Sequence, residues 1–125
     1  MKTIATTKAP GAIGPYSQGQ IVGNMVFTSG QLGLNPATGD FAGADIKAQA
    51  QASLENLKAI LEDAGTSMDK ICKVTVFISD MANFGAVNEI YGTFFKEGSY
   101  PARSCVEVAA LPKGALVEIE AVAEL

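Results

Sequence analysis

Histidine is absent from this chain of 125 residues. Histidine is the usual general base near neutral pH and the commonest metal ligand, so its absence excludes Ser-His-Asp and Cys-His catalytic arrangements. The two cysteines, Cys72 and Cys105, are too few for a disulfide framework and lack the short spacing of a zinc site. A transition-metal site would need carboxylates and thiols alone. Any chemistry must therefore use arginine, carboxylates, tyrosines, backbone groups and water.

Long apolar runs and basic clusters are also lacking. No uninterrupted apolar stretch approaches the roughly 20 residues that span a bilayer, and residues 1–8 lack the apolar core of a signal peptide. We therefore expect a cytoplasmic protein. The net charge is −4, which disfavours a role in binding nucleic acid. An apolar fraction of 48% and a charged fraction of 18% predict one globular domain over residues 1–125.

Turn signals and apolar periodicity predict elements in the order ββ(β)αβαββ. A hairpin is expected over residues 17–30, because Gly23-Asn24 makes a good two-residue turn. Apolar residues at helical spacing predict a helix that Asp45 caps and Gly65 ends. The remaining predicted elements are a loop over 35–40, a strand over 71–79, and strands over 103–110 and 116–123. A second helix is expected to open at Asp80 or Asn83, with an apolar stripe that includes Phe84 and Tyr91.

The expected fold class is α+β, with a mixed sheet of about five to six strands and two helices on one face. The last two strands are predicted to pair as a hairpin about residues 112–114, with Val106 facing Ile119. The face opposite the helices would then carry Arg103, Cys105, Glu107, Glu118 and Glu120. A mixed face of this kind is expected of a subunit interface that encloses a polar site. The alternative is a solvated sheet face.

Arg103 is the only arginine among nine cationic side chains. It lies at the start of a strand, shortly after Pro101, whereas lysines carry the other positive charges. A guanidinium suits a planar two-point grip on a carboxylate or phosphate. The alternative is a salt bridge to one of the thirteen acidic side chains.

Five further positions are candidate site residues. Glu118 and Glu120 point the same way on one strand, so they either handle water and protons or form an ordinary solvent-facing pattern. Cys105 is more typical of a small buried side chain than of a nucleophile. Tyr16 packs at an edge or closes a pocket. Gly30 ends a strand, where the backbone can approach a ligand closely.

Several segments resemble the RidA (YjgF) family. The residues Pro-Ala-Arg-Ser-Cys-Val-Glu-Val-Ala-Ala-Leu at 101–111, followed by Val-Glu-Ile-Glu-Ala at 117–121, look like the signature of that family. Residues 12–19, 27–31 and 74–78 fall in the expected order and spacing. The resemblance therefore covers nearly the whole chain.

The resemblance implies a homotrimer of chorismate-mutase-like subunits with a cleft at each subunit interface. Family members of this type hydrolyse 2-imino and enamine acids, such as 2-iminobutanoate, 2-iminopropanoate and products derived from 2-aminoacrylate, to 2-keto acids and ammonia. Pyridoxal-phosphate-dependent dehydratases make these substrates. The deaminase itself needs neither a metal nor an organic cofactor.

The family's site residues fall on Arg103, Glu118, Tyr16, Cys105 and Asn88. By this resemblance Arg103 would grip the substrate carboxylate and Glu118 would position or deprotonate water. Backbone groups near Gly30 and Cys105 would fix the substrate, and Tyr16 would close the pocket. An alternative function is a non-catalytic regulatory trimer that binds small carboxylates in the same cleft. A protein-interaction or RNA-directed role is a third possibility, which the negative charge disfavours.

Overall fold

A computed structural model describes residues 1–125 and shows an α+β domain. The strands are β1 (Lys2–Ile4), β2 (Gly19–Val22), β3 (Met25–Thr28), β4 (Gln31–Leu32), β5 (Ile71–Ile78), β6 (Ala102–Glu107) and β7 (Val117–Glu124). The helices are α1 (Ile46–Asp63) and α2 (Phe84–Gly92), with short 3-10 turns at Met68–Lys70, Met81–Asn83 and Pro112–Gly114. No helix has the length and apolar character that crossing a membrane requires.

All seven strands belong to one sheet. The strand order is β1-β2-β3-β7-β5-β6, and β4 also pairs with β7. The α+β class and the two helices agree with the sequence-based expectation, but the sheet has seven strands rather than five or six. Strands β1 and β4 have only three and two residues, which is too short for an alternating pattern to reveal them.

The first helix and the first hairpin follow the sequence signals. Asp45 caps α1 by accepting a hydrogen bond from the Ala48 backbone N at 3.2 Å, and Gly65 follows the helix with a φ of 92°. The apolar stripe of α1 is fully buried against the sheet. In the β2–β3 hairpin, Val22 pairs with Met25 across the predicted turn. These predictions are confirmed.

The predicted pairing of the last two strands is wrong. β6 runs parallel to β5, with Arg103 opposite Val74. β7 runs antiparallel to β5, with Ile119 opposite Val76. β5 therefore lies between the two strands that the sequence pattern joined. The chain returns from β5 to β6 through α2, and a parallel pair requires such a crossover.

This topology separates two residues that were expected to share a sheet face. Arg103 lies opposite Val74, which is buried in the core beneath the helices. Glu118 lies opposite Phe77, three residues further along β5. Because side chains alternate along a strand, Arg103 is on the helix side and Glu118 is on the uncovered side. The expectation that both occupy one face is wrong.

The uncovered face of the sheet has a mixed composition. Phe27 and Val106 expose 46% and 43% of their surface there, and Glu118 and Glu120 lie between their strands on β7. Neither helix covers this face. It is therefore neither a polar solvent face nor a second core.

Candidate active site

Arg103 is held by three side chains of α2. Its Nη1 donates a hydrogen bond to Asn88 Oδ1 at 2.7 Å. Its guanidinium carbon lies 4.8 Å from the centre of the Tyr91 ring and 5.6 Å from that of Phe84. The parallel crossover is what brings α2 next to the start of β6. The one arginine of the chain is thus fixed in orientation by helix residues rather than by strand neighbours.

No carboxylate of the same chain neutralises Arg103. The only ion pair in the structure joins Lys47 and Glu89 at 2.9 Å, so Arg103 forms no salt bridge within its own chain. A guanidinium has five N–H donors, and only one of them is used, by Asn88. Each aromatic contact adds roughly 0.5–1 kcal/mol at a partly exposed site. The arrangement leaves an oriented cation with free donors, which suits a carboxylate ligand.

Tyr91 has the only buried side-chain polar atom without a hydrogen-bond partner. The residue is 5% exposed, and an unpartnered buried hydroxyl costs roughly 1–3 kcal/mol. Burial raises the pKa of Tyr91 to about 12, since it outweighs the opposing effect of Arg103. The hydroxyl therefore keeps its proton at neutral pH. Tyr91, Asn88 and Arg103 share a cavity of about 430 Å³ with Gly92, Tyr100 and Pro101.

Cys105 lies two residues beyond Arg103 on the same side of β6. Burial raises the pKa of the Cys105 thiol, and the nearby Arg103 charge only partly opposes this. Since the thiolate is the reactive form, Cys105 is poorly suited to act as a nucleophile. Its thiol packs against the hydrophobic core.

Glu118 lies in a second and larger pocket on the other side of the sheet. The pocket has a volume of about 750 Å³, and its lining includes Tyr16, Gly30 and Glu118. The Glu118 carboxyl lies directly over Gly30, because a Cβ added at Gly30 would come within 2.7 Å of the carboxyl carbon. Burial raises the pKa of Glu118, and the neighbouring Glu120 raises it further. Glu118 is therefore a better proton carrier near neutral pH than an ordinary surface glutamate.

The six predicted site residues thus form two groups within one chain. Tyr16, Gly30 and Glu118 line the larger pocket. Arg103 and Asn88 line the smaller cavity, with Cys105 beside them on β6. The sequence pattern assigned Phe84 and Tyr91 only to an apolar helix stripe. Their contact with Arg103 gave no sequence signal, because it depends on the crossover from β5 to β6.

The chain resembles known proteins over almost its full length. The family model described as endoribonuclease L-PSP matches residues 6–125. A 2-iminobutanoate/2-iminopropanoate deaminase of Escherichia coli (strain K12) is 56% identical over 124 residues, which cover 98% of this chain and 96% of the relative. These matches define the class as small α+β proteins of the L-PSP type.

Solved structures agree with this class. The crystal structure of E. coli TdcF with bound serine has a TM-score of 0.96 at 54% identity, covering 100% of this chain and 99% of that one. RidA from the Antarctic bacterium Psychrobacter sp. PAMC 21119 has a TM-score of 0.96 at 46% identity, with 100% of both chains covered. The chain belongs to the RidA (YjgF) family.

Proposed function

We propose that this protein hydrolyses reactive 2-imino and enamine acids, such as 2-iminobutanoate and 2-iminopropanoate, to 2-keto acids and ammonia. The observation that carries the proposal is the Arg103 guanidinium, which no carboxylate of the same chain neutralises and which Asn88 and two aromatic rings orient. The deaminase name of a relative with 56% identity supports the same activity.

Arg103 binds the substrate carboxylate through two N–H donors. A charge-assisted contact of this kind contributes roughly 1.5–3 kcal/mol, and it fixes the position of the adjacent imine carbon. Orientation of the reacting atoms removes part of the barrier. A protonated imine is already electrophilic, so the reaction needs a positioned water more than a strong nucleophile. This explains how the chain works without histidine.

Glu118 handles the protons of the reaction. It takes a proton as water adds to the imine carbon, which forms a carbon–oxygen bond and a carbinolamine. It then returns a proton to the nitrogen as the carbon–nitrogen bond breaks, and the departing ammonia takes up the proton that the hydroxyl group loses, which leaves the 2-keto acid and ammonium. The raised pKa of Glu118 suits both steps. The chemistry requires no metal or organic cofactor, and the pyridoxal phosphate belongs to the dehydratase that supplies the imine.

A complete site needs two copies of the chain. Within one chain Arg103 and Glu118 lie on opposite faces of the sheet and in different cavities, so one small imino acid cannot contact both. Arg103 lies on β6, which is an edge strand, and Phe27 and Val106 are exposed on the uncovered face. These features support a homotrimer in which each interface joins Arg103 of one subunit to Glu118 of the next.

The activity is tested by trapping the imine. Threonine dehydratase generates 2-iminobutanoate in situ, and semicarbazide captures what is not hydrolysed. The wild type should lower the captured imine, whereas Arg103→Ala should not. Lys47→Ala is the matched control, because it removes a cation from an exposed ion pair away from both cavities. Near-normal turnover by Arg103→Ala would contradict the proposed role of Arg103 in the mechanism.

The shared site is tested by mixing two inactive variants. In a mixed ring of Arg103→Ala and Glu118→Ala subunits, one interface receives both functional side chains. Random equal mixing should therefore restore about a quarter of the wild-type activity. Mixed trimers with no recovered activity would contradict the shared site, while leaving the deaminase activity of the wild type unaffected.

The second candidate function is a regulatory trimer that binds small carboxylates without catalysis. The crystal structure of TdcF with bound serine supports a carboxylate ligand in a relative, and Arg103 would serve binding as well as catalysis. Glu118 favours the enzyme, because a carboxylate repels an anionic ligand unless it shares a proton. Binding of 2-ketobutyrate with no effect on imine capture would favour the regulatory function.

A further inference from the structure

The hydroxyl of Tyr91 is the exception among the buried polar side chains. Ser53 Oγ donates a hydrogen bond to the Gln31 carbonyl at 2.6 Å, and Asn56 Nδ2 donates one to the Leu34 carbonyl at 2.8 Å. Tyr91 Oη has no partner. Phenylalanine would fill the same space without the desolvation penalty. The hydroxyl therefore needs an explanation other than packing.

The position of Tyr91 connects this hydroxyl with the carboxylate-binding arginine. Its ring lies 4.8 Å from the Arg103 guanidinium, and Asn88, three residues earlier, lies on the same face of α2. The Phe95 ring packs against the Tyr91 ring at a centroid distance of 4.7 Å, and Tyr91 is 5% exposed. Packing thus fixes the ring at the wall of the cavity that Arg103 and Asn88 also line.

We propose that Tyr91 is a substrate-binding residue whose hydroxyl donates a hydrogen bond to the carboxylate gripped by Arg103. The inference rests on the proposed function, which supplies that carboxylate. The hydroxyl is buried in the ligand-free subunit, so binding must open it to the cavity that Tyr91 and Arg103 both line. The carboxylate then accepts from the guanidinium and from Tyr91 together, and the buried hydroxyl gains the partner that it lacks in the free protein.

The protonation state of Tyr91 fits a donor. Burial holds its pKa at about 12 despite the opposing Arg103 charge, so the hydroxyl keeps its proton at physiological pH. A neutral donor adds a hydrogen bond without a second positive charge beside Arg103. A phenolic hydroxyl is therefore well matched to the remaining lone pairs of a carboxylate that a guanidinium already holds.

The test compares Tyr91→Phe with the wild type in two measurements. Calorimetric titration with 2-ketobutyrate should show a dissociation constant raised about tenfold, as expected for a lost hydrogen bond to a charged group. Urea unfolding should show a higher midpoint, because phenylalanine carries no unpartnered hydroxyl. A dissociation constant within about twofold of the wild type would overturn the inference. A lowered urea midpoint would also overturn it, since the hydroxyl would then already be satisfied inside the protein.

Two further variants separate the hydroxyl from the ring. Tyr91→Leu removes both, so its dissociation constant should exceed that of Tyr91→Phe. Tyr100→Phe removes a hydroxyl from a side chain that is 54% exposed, and it should leave the urea midpoint unchanged. If the wild type neither binds 2-ketobutyrate nor lowers the captured imine, the proposed function fails and this inference with it. If the wild type does both and Tyr91→Phe binds equally well, only the inference fails.

Discussion

Gly30 leaves the space that the Glu118 carboxyl occupies, and an added methyl group tests the role of that carboxyl. An alanine Cβ at Gly30 would lie 2.7 Å from both the carboxyl carbon and Oε1 of Glu118. Gly30 lacks a positive φ, so alanine fits the backbone. The obstructing atoms are the end of a flexible side chain, which can move. Gly30→Ala is therefore expected to fold and to displace the Glu118 carboxyl.

The expected effect on catalysis follows from the size of the displacement. The carboxyl must retreat by about 0.7 Å to reach ordinary van der Waals contact with the new methyl group. A misplacement of this order in an active site lowers the rate by about 10- to 100-fold. The free energy of unfolding should change by less than about 1 kcal/mol, because the smaller entropy of the unfolded alanine chain offsets the crowding.

Gly33→Ala provides the matched control. A Cβ there would clash with the backbone of Gln49 in α1, which cannot turn aside as a side chain can. Overpacking of this kind destabilises by about 1–3 kcal/mol or more. Gly33 does not line the Glu118 pocket, so the remaining folded protein should keep its turnover.

The assay is imine capture with semicarbazide, together with urea unfolding of both variants. Gly30→Ala should lose activity and keep its urea midpoint. Gly33→Ala should have a lower urea midpoint and keep its turnover. Unchanged turnover in a well-folded Gly30→Ala protein would refute a catalytic role for the position of the Glu118 carboxyl.

Two other predictions concern stability. Burial, and then Glu120, raise the pKa of Glu118 above the ordinary value of 4.5, so the folded state binds that proton more tightly than the unfolded chain does. Protonation of Glu118 therefore favours the folded state at low pH, and this contribution to the free energy of unfolding is lost as pH rises through the raised pKa. Glu118→Gln should therefore have a higher urea midpoint than the wild type at about pH 7 and lose this advantage at about pH 4. Equal pH dependence of the two proteins would contradict this assignment. Asp45→Ala removes the α1 cap and should lower the free energy of unfolding by about 1 kcal/mol, measured by urea denaturation. Asp45→Asn should restore most of this loss, and a fully stable alanine variant would show that the cap contributes nothing.

The sequence predicted the local elements well because their signals are local. Asp45 and Gly65 bound α1 as expected, and Gly23 forms the first turn. The pairing of β6 and β7 was mispredicted because two consecutive alternating segments resemble a hairpin. Nothing in their residues shows that β5 lies between them.

The prediction of the site was limited in the same way. The lone arginine and the motif glutamate identified Arg103 and Glu118 as candidates, but their relative position depended on the strand order. The assumed hairpin placed both on one face, and the parallel crossover places them on opposite faces. Tyr91 shows the same limit, since its apolar spacing on α2 says nothing about the guanidinium that lies over it.

The crossover from β5 through α2 to β6 also determines how each half of the site is encoded. Phe84, Asn88, Tyr91 and Arg103 all come from one short continuous stretch of chain, whereas Tyr16, Gly30 and Glu118 come from distant parts of it. The half of the site that we propose to bind the substrate carboxylate therefore lies within the single segment 84–105. The half that we propose to transfer protons is built from separate segments around Tyr16, Gly30 and Glu118, so a change in its geometry involves distant parts of the chain.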